Sequence, residues 1–340
     1  MSLPAYVDIY GAIVFPNNIC IDGHHNGCLY RVVTHIHADH TIHIDRSITA
    51  SRYIIASPIT LEMLLALGYN IPKSKSFKLN YDEVIDFYDG SKLRFVKAEH
   101  IPGTTQVLYE DKDIVVAYTS DFKSPGRGTE IIADVDVLVI DATYGDPRFS
   151  RADEDVIWSE FVKLVRKLMS MGPIALYAYY GKAQDVMVRL RMEGIDAPFI
   201  LSPAHWKLYR VLSRFGYEIN DVFLSGSAEA SEIERTGWYI EVHHTSRFNS
   251  LKRVYGLKHI FLTGRYIKTI MSRDSGNTWI VGISGHADFN ELIYYVDNAR
   301  PRLLVVDGYR SEYAHRFSSY VRENMGIESI VTPMTVSLSF

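Results

Sequence analysis

Residues 29–40 read Leu29-Tyr30-Arg31-Val32-Val33-Thr34-His35-Ile36-His37-Ala38-Asp39-His40, a largely hydrophobic run of strand type that breaks into four candidate metal ligands within six residues. An extended segment alternates its side chains, so His35 and His37 point the same way, and a turn into a helix brings Asp39 and His40 round to a second position. That spacing suits two neighbouring metal ions. Imidazole with a single carboxylate is a borderline donor set that favours zinc, with manganese or iron as the alternatives. A plain surface histidine cluster is the competing reading, and the buried-type strand in front of the motif argues against it.

Outward from that motif, short β-rich runs alternate with helical patterns, which points to a layered α/β architecture. Strands are expected at Ile114–Tyr118, Val135–Asp141, Ile260–Leu262, Trp279–Ile283 and Leu303–Val306, several of them leading into a polar residue or histidine. After Ser150, residues 152–171 place Ile157, Phe161, Leu164, Val165 and Leu168 at helical spacing and stop at Gly172-Pro173. Beyond it, helical patterns at 182–193 and 204–215 flank a strand run at 199–201, as expected of an inserted α/β subdomain.

Composition narrows the class. The chain has 340 residues, 47% of them hydrophobic, and 36 Lys plus Arg against 40 Asp plus Glu, a formal net charge of −4. Such a chain can bury a sizeable core and is far from the disordered class. Two cysteines, Cys20 and Cys28, make no disulfide framework, and no apolar run is long enough to span a bilayer. A cytoplasmic protein without membrane association is expected. The charge is uneven: Arg247, Lys252, Arg253, Lys258, Arg265, Lys268 and Arg273 fall in one window without an acidic residue, interleaved with Phe248, Tyr255, Phe261 and Tyr266. A mildly acidic whole is therefore compatible with a locally positive nucleic-acid path.

The motif at 35–40 resembles that of the metallo-β-lactamase superfamily, and its further positions follow in order. Asp22 in Ile21-Asp22-Gly23 resembles the aspartate that supports the histidine loop. His100 in Glu99-His100-Ile101-Pro102-Gly103 resembles the third histidine ligand, with Glu99 where the family usually has Gly. Asp121 in Ser120-Asp121-Phe122 resembles the bridging carboxylate. Asp141 in Asp141-Ala142-Thr143-Tyr144-Gly145 and His286 in Ser284-Gly285-His286-Ala287-Asp288 look like motifs A and B of the β-CASP nucleases, and Gly181-Lys182-Ala183-Gln184-Asp185 looks like an element of their insert. At motif C, RNA-directed members carry His and DNA-repair members Val, whereas this chain has Asp307 in Val306-Asp307-Gly308.

The resemblance implies a metallo-β-lactamase αββα sandwich in two parts, residues 1–150 and 270–340, with a β-CASP cap at 151–269. It implies two zinc ions: His35, His37 and His100 on one, Asp39 and His40 on the other, Asp121 bridging, and Asp307 a further ligand of the second. A hydroxide held between the metals, its pKa lowered towards about 7, would attack phosphorus. Asp39, His286 and Asp141 are the implied catalytic residues, His286 serving the leaving group and Asp141 orienting it. Lys182, Arg247, Lys252, Arg253, Lys258, Arg265 and Lys268 are the candidate phosphate contacts. The expected activity is hydrolysis of single-stranded RNA in processing or degradation, endo- or exonucleolytic, with a homodimer allowed. A DNA exonuclease of the DNA ligase-associated or repair type is the first alternative, and a non-catalytic β-CASP scaffold subunit the second.

Overall fold

The structure is a computed structural model describing residues 3–81, 83–252, 254, 256–265, 271–274 and 277–333, with the backbone alone at 271–274. The chain divides into two compact units, residues 1–150 with 286–340, and residues 151–285.

The first unit begins with a sheet whose spatial order is its chain order: β1 (Tyr6–Val7), β2 (Ile13–Phe15), β3 (Ile19–Ile21), β4 (Tyr30–Val32), β5 (Tyr53–Ala56) and β6 (Ser76–Lys78). Helices α1 (Ile44–Ala50) and α2 (Pro58–Leu67) carry the parallel crossovers from β4 to β6. Ser57 caps α2 by accepting from the Thr60 N–H, and Pro58 takes a position where no N–H is needed. The second sheet starts with the antiparallel strands β7 (Val84–Asp86), β8 (Lys92–Lys97), β9 (Thr105–Glu110) and β10 (Val115–Tyr118), then turns parallel at β11 (Val137–Ile140).

From Arg151 the chain builds the second unit. Its first helix, α3 (Glu154–Met169), starts at an Asp153 cap and buries Ile157, Phe161, Leu164, Val165 and Leu168, the apolar stripe expected from their spacing. There follow β12 (Ile174–Tyr177), α4 (Lys182–Met192), β13 (Phe199–Leu201), α5 (Pro203–Leu212), β14 (Val222–Leu224), α6 (Ala228–Thr236), β15 (Ile240–His243), α7 (Phe248–Leu251), β16 (Lys258–Leu262), β17 (Met271–Asp274) and β18 (Thr278–Val281). They form a sheet of order β14-β13-β15-β12-β16-β18-β17, parallel except at β17. This pairing corrects the expected boundary at 269. Ile260 registers with Trp279, and β17 pairs with β18, so these two strands complete the second unit's sheet.

The chain then returns to the first unit through α8 (Phe289–Ala299), β19 (Leu303–Asp307), α9 (Ala314–Tyr320) and β20 (Glu328–Thr332). Strand β19 lies parallel between β11 and β20. Alternation along these central strands makes the layers. Val137, Val139 and Val305 join Ile21, Val32 and Ile55 in the core between the two sheets. Leu138, Ile140, Leu304 and Val306 face the other way, against Phe289, Leu292, Tyr295 and Phe317 of α8 and α9. Strands buried on both faces read as continuous apolar runs, as Val137–Ile140 does. The unit is an αββα sandwich in which each fully buried aliphatic or aromatic side chain contributes about 1.5–3 kcal/mol of transfer free energy. Cys20 of β3 and Cys28 are joined as a disulfide. Among the described residues, no helix is long and apolar enough to cross a membrane.

Candidate metal centre

The register of the second sheet gathers the chemistry at one edge. Tyr118 pairs with Val139, and Val139 with Val305, so parallel β10, β11 and β19 end side by side and release Asp121, Asp141 and Asp307 from the same edge. Beyond β4, Val33 donates its N–H to Ile55 O, and residues 34–40 leave the first sheet in a turn. Asp22, just past β3, takes a left-handed conformation, φ 56°. Its buried carboxylate accepts from the Thr34 N–H at 2.8 Å and the Thr34 hydroxyl at 2.6 Å. It also lies 2.7 Å from His40 Nδ1, a separation that fits an Nδ1–H donor and leaves Nε2 free.

Four side chains converge from three segments. Ligand atoms of His35, His37, His100 and Asp121 all lie within 4.8 Å of one another. His37 Nδ1 is 3.1 Å from both His35 Nε2 and His100 Nε2. Nitrogens sharing one tetrahedral zinc at about 2.0–2.1 Å are about 3.3 Å apart, so this triangle has the size a metal requires. His35 Nδ1 faces the Thr34 and Ser120 hydroxyls at 3.1 and 3.4 Å, which leaves its Nε2 for the centre. Asp121 Oδ2 lies 3.5 Å from His35 Nε2 and 3.4 Å from His100 Nε2, while Oδ1 lies 3.2 Å from His40 Nε2. Asp39 Oδ2 is 3.6 Å from that same His40 nitrogen. His40 Nε2 is buried and makes no hydrogen bond among the described residues, as suits an atom reserved for a cation. The donor set fits zinc: three imidazoles around one position, and Asp39, His40 and the shared Asp121 around a second.

Electrostatics agree with that division. Burial holds the His100 imidazole well below its ordinary pKa and lowers His35, which favours the neutral form that a metal ligand needs. Burial also works against charge on His40, but the carboxylates of Asp121, Asp39 and Asp22 outweigh it and raise His40 well above the usual range. Burial would raise Asp121, yet His40 and His286 pull it well below the ordinary carboxylate value.

On the far side of Asp121, the Asp141 and His286 side chains close a second group, with ligand atoms of all three within 4.8 Å of one another. His286 Nδ1 stands 3.2 Å from Asp141 Oδ2 and 3.8 Å from Asp121 Oδ2. Asp141 Oδ1 is itself held by the Thr143 N–H and hydroxyl at 3.0 and 2.8 Å and by Ser311 Oγ at 3.2 Å. The His286 segment is pinned by a hydrogen bond from the Ala287 N–H to Phe122 O and by the capping box of Asp288 and Glu291 at the start of α8. Tyr144 meets the His286 ring edge to face at 5.9 Å.

No protein-family profile matches the chain. A protein of Acidianus ambivalens described as an uncharacterized protein in the lig 3′ region is 43% identical over 114 residues, 33% of this chain and 81% of that protein. The DNA cross-link repair protein SNM1 of Arabidopsis thaliana is 22% identical over 299 residues, which cover 82% of this chain and 60% of SNM1. The 5′ exonuclease Apollo of Mus musculus is 25% identical over 291 residues, 80% of this chain and 49% of Apollo. The chain belongs to the β-CASP group of the metallo-β-lactamase superfamily. It spans 49–60% of the length of those two relatives. A crystal structure of a protein of unknown function from Enterococcus faecalis superposes on it with a TM-score of 0.61 at 14% identity, covering 88% of this chain and 78% of that one, a likeness of fold.

Within the β-CASP frame, the expectation corrected by the geometry is motif C. Asp307 is fully buried but is not brought to the imidazoles: Oδ2 faces Arg310 Nη1 at 2.9 Å, and Oδ1 accepts the N–H groups of Tyr309 and Arg310 at 2.9 and 3.1 Å. A carboxylate with both oxygens engaged by a cation and two N–H donors is a counter-ion, not a free ligand. Burial still pushes the Asp307 carboxyl above its ordinary pKa against the pull of Arg310. The basic positions fall in the chain's second unit. Lys182 Nζ donates to Ile283 O, Lys252 lies over the Phe248 ring, Lys258 reaches Asn277, and Arg247 and Arg265 are exposed. Arg253 and Lys268, with Tyr255 and Tyr266, lie outside the described residues, as does the Arg273 side chain. The polar frame of the centre, Thr34, Ser120, Thr143 and Ser311, went unread in the sequence. So did Arg31 and Arg310, although Arg31 carried a signal: a charge inside the apolar run 29–33 must find partners when buried.

Proposed function

We propose that the protein is a metal-dependent nuclease that hydrolyses phosphodiester bonds of single-stranded nucleic acid. The observation that carries this reading is the convergence of His35, His37, His100 and Asp121, with Asp121 shared by the Asp141 and His286 group. When bound, two zinc ions supply charge neutralisation and a water activated near neutral pH. His35, His37 and His100 would hold one ion, Asp39 and His40 the other, and Asp121 both. His286, its Nδ1 turned to Asp141, presents Nε2 to the leaving oxygen and donates the proton that the departing alkoxide needs. Asp141, fixed by Thr143 and Ser311, keeps the ring in that tautomer and stabilises its charged form.

DNA is placed ahead of RNA, reversing the order expected from the sequence. Two observations support the change: Asp307 is taken up by Arg310, as a chain without a metal ligand at motif C requires, and a relative matched over 82% of this chain is named for DNA cross-link repair. The test is incubation of end-labelled single-stranded DNA and RNA of one sequence, with and without chelator. Chelator-sensitive cleavage of DNA in preference to RNA is expected, and preferential cleavage of RNA restores the opposite order. A protein that cleaves neither, with or without added zinc or manganese, is the scaffold of the alternative reading.

A further inference from the structure

Three residues beyond Asp307, the Arg310 side chain is only 3% exposed, and each nitrogen of its guanidinium is engaged. Nη1 meets Asp307 Oδ2 at 2.9 Å, and Nε and Nη2 both donate to the main-chain oxygen of Asp39, at 3.1 and 2.9 Å. Nη2 also donates to Gly11 O at 2.7 Å and Asp22 O at 2.9 Å. The next carbonyl along, that of His40, accepts from Nη2 of buried Arg31 at 2.9 Å. Consecutive carbonyls of the Asp39-His40 pair are thus gripped from beneath by two buried guanidiniums, while Asp22 orients the His40 ring. Among the described residues, none of the Arg310 hydrogen bonds reaches His35, His37 or His100.

We infer that Arg310, clamped by Asp307, is the positioning residue for the Asp39 and His40 half of the metal centre. A planar fork with five donors fixes the carbonyl of Asp39 relative to Gly11 and Asp22, and so fixes the backbone from which the Asp39 carboxylate and His40 ring project. Lysine offers one point charge and cannot span these oxygens. Burying the guanidinium is costly unless it is paired, and Asp307 is the pairing group. The carboxylate at motif C therefore acts on the second metal position through Arg310. The consequence for metal binding rests on the nuclease reading above, whereas the geometry of the loop does not.

The test uses the full chain stripped of metal, as wild type, Arg310→Met, Arg310→Lys and Asp307→Asn. Hydrogen exchange is followed by mass spectrometry over residues 34–41, with 289–299 and 174–192 as controls. Faster exchange at 34–41 by about tenfold is expected in Arg310→Met, the scale of losing a charge-assisted hydrogen bond, with Arg310→Lys intermediate and the controls unchanged. Zinc is then titrated into each. The second equivalent should weaken about 10- to 100-fold while the first is unaffected. Unaltered exchange at 34–41 in the variants overturns the inference, and so does equal weakening of both equivalents. If Arg310→Met does not fold, Arg310→Lys and Asp307→Asn decide by the same readouts. Should the wild type bind no zinc, the nuclease reading falls, and the exchange data still decide the role of Arg310.

Discussion

His286 Nδ1 stands 3.2 Å from Asp141 Oδ2, a contact between residues 145 positions apart that joins the loop after β11 to the start of α8. Its orientation turns Nε2 away from the carboxylate. For this reason His286→Ala should fold, retain its metal and lose hydrolysis by about 10²- to 10⁴-fold, the usual worth of a positioned acid. Metal analysis and single-turnover cleavage measure the two properties separately, and full activity in the variant removes His286 from the mechanism.

Asp22 is a supporting group of a different kind, wholly buried with three hydrogen-bonding contacts to Thr34 and His40. Its own pKa is the outcome of burial, which raises it, against the combined pull of His40, Arg310 and His35, which together leave it below the ordinary value. Asp22→Ala removes one partner of a buried pair and should destabilise the first unit by about 3–5 kcal/mol. Calorimetric unfolding measures this, and a loss under about 1 kcal/mol would show that the bonds to Thr34 and His40 do not hold the loop.

Charge contacts with nucleic acid make a separable prediction. Arg265 is exposed in the basic window, and Arg265→Ala should weaken binding of single strands of any sequence while metal content stays constant. The slope of log affinity against log salt should fall by about one. An unchanged slope removes Arg265 from the phosphate path.

Acid lability of the second unit should depend on His205. This residue is fully buried, and burial lowers its pKa from 6.5 to about 3, with His244 and His243 adding to the shift. Between those values the unfolded chain binds a proton that the folded one refuses, so stability falls as pH drops from 6.5 to about 3 and the loss is complete below. All four tryptophans, Trp158, Trp206, Trp238 and Trp279, lie in residues 151–285, so their fluorescence reports this unit's unfolding in urea. His205→Gln should flatten the decline of the urea midpoint across that window. Parallel declines in wild type and variant would assign the lability to other groups.

Much of the architecture was legible because its signals are local. The apolar stripe of α3 and the doubly buried run Val137–Ile140 each announce their element through periodicity, and the HxHxDH spacing announces a metal site through donor chemistry alone. The end of the second unit was not legible at 269, because β18 pairs with β16 and β17 with β18, and strand pairing is a long-range choice. The disulfide between Cys20 and Cys28 likewise depends on two segments being brought together.

Taken alone, the residues determined the type of chemistry: a strand ending in imidazoles, further His and Asp donors in order behind it, and an insert between two halves of one domain. Tertiary structure decided which donor does what. Asp121 faces imidazoles, Asp141 faces His286, and Asp307 faces Arg310, although all three leave the same edge of one sheet. The physical reason is that the role of a carboxylate is set by its nearest cation. That neighbour is fixed by where separate segments pack, which spacing along one segment does not encode.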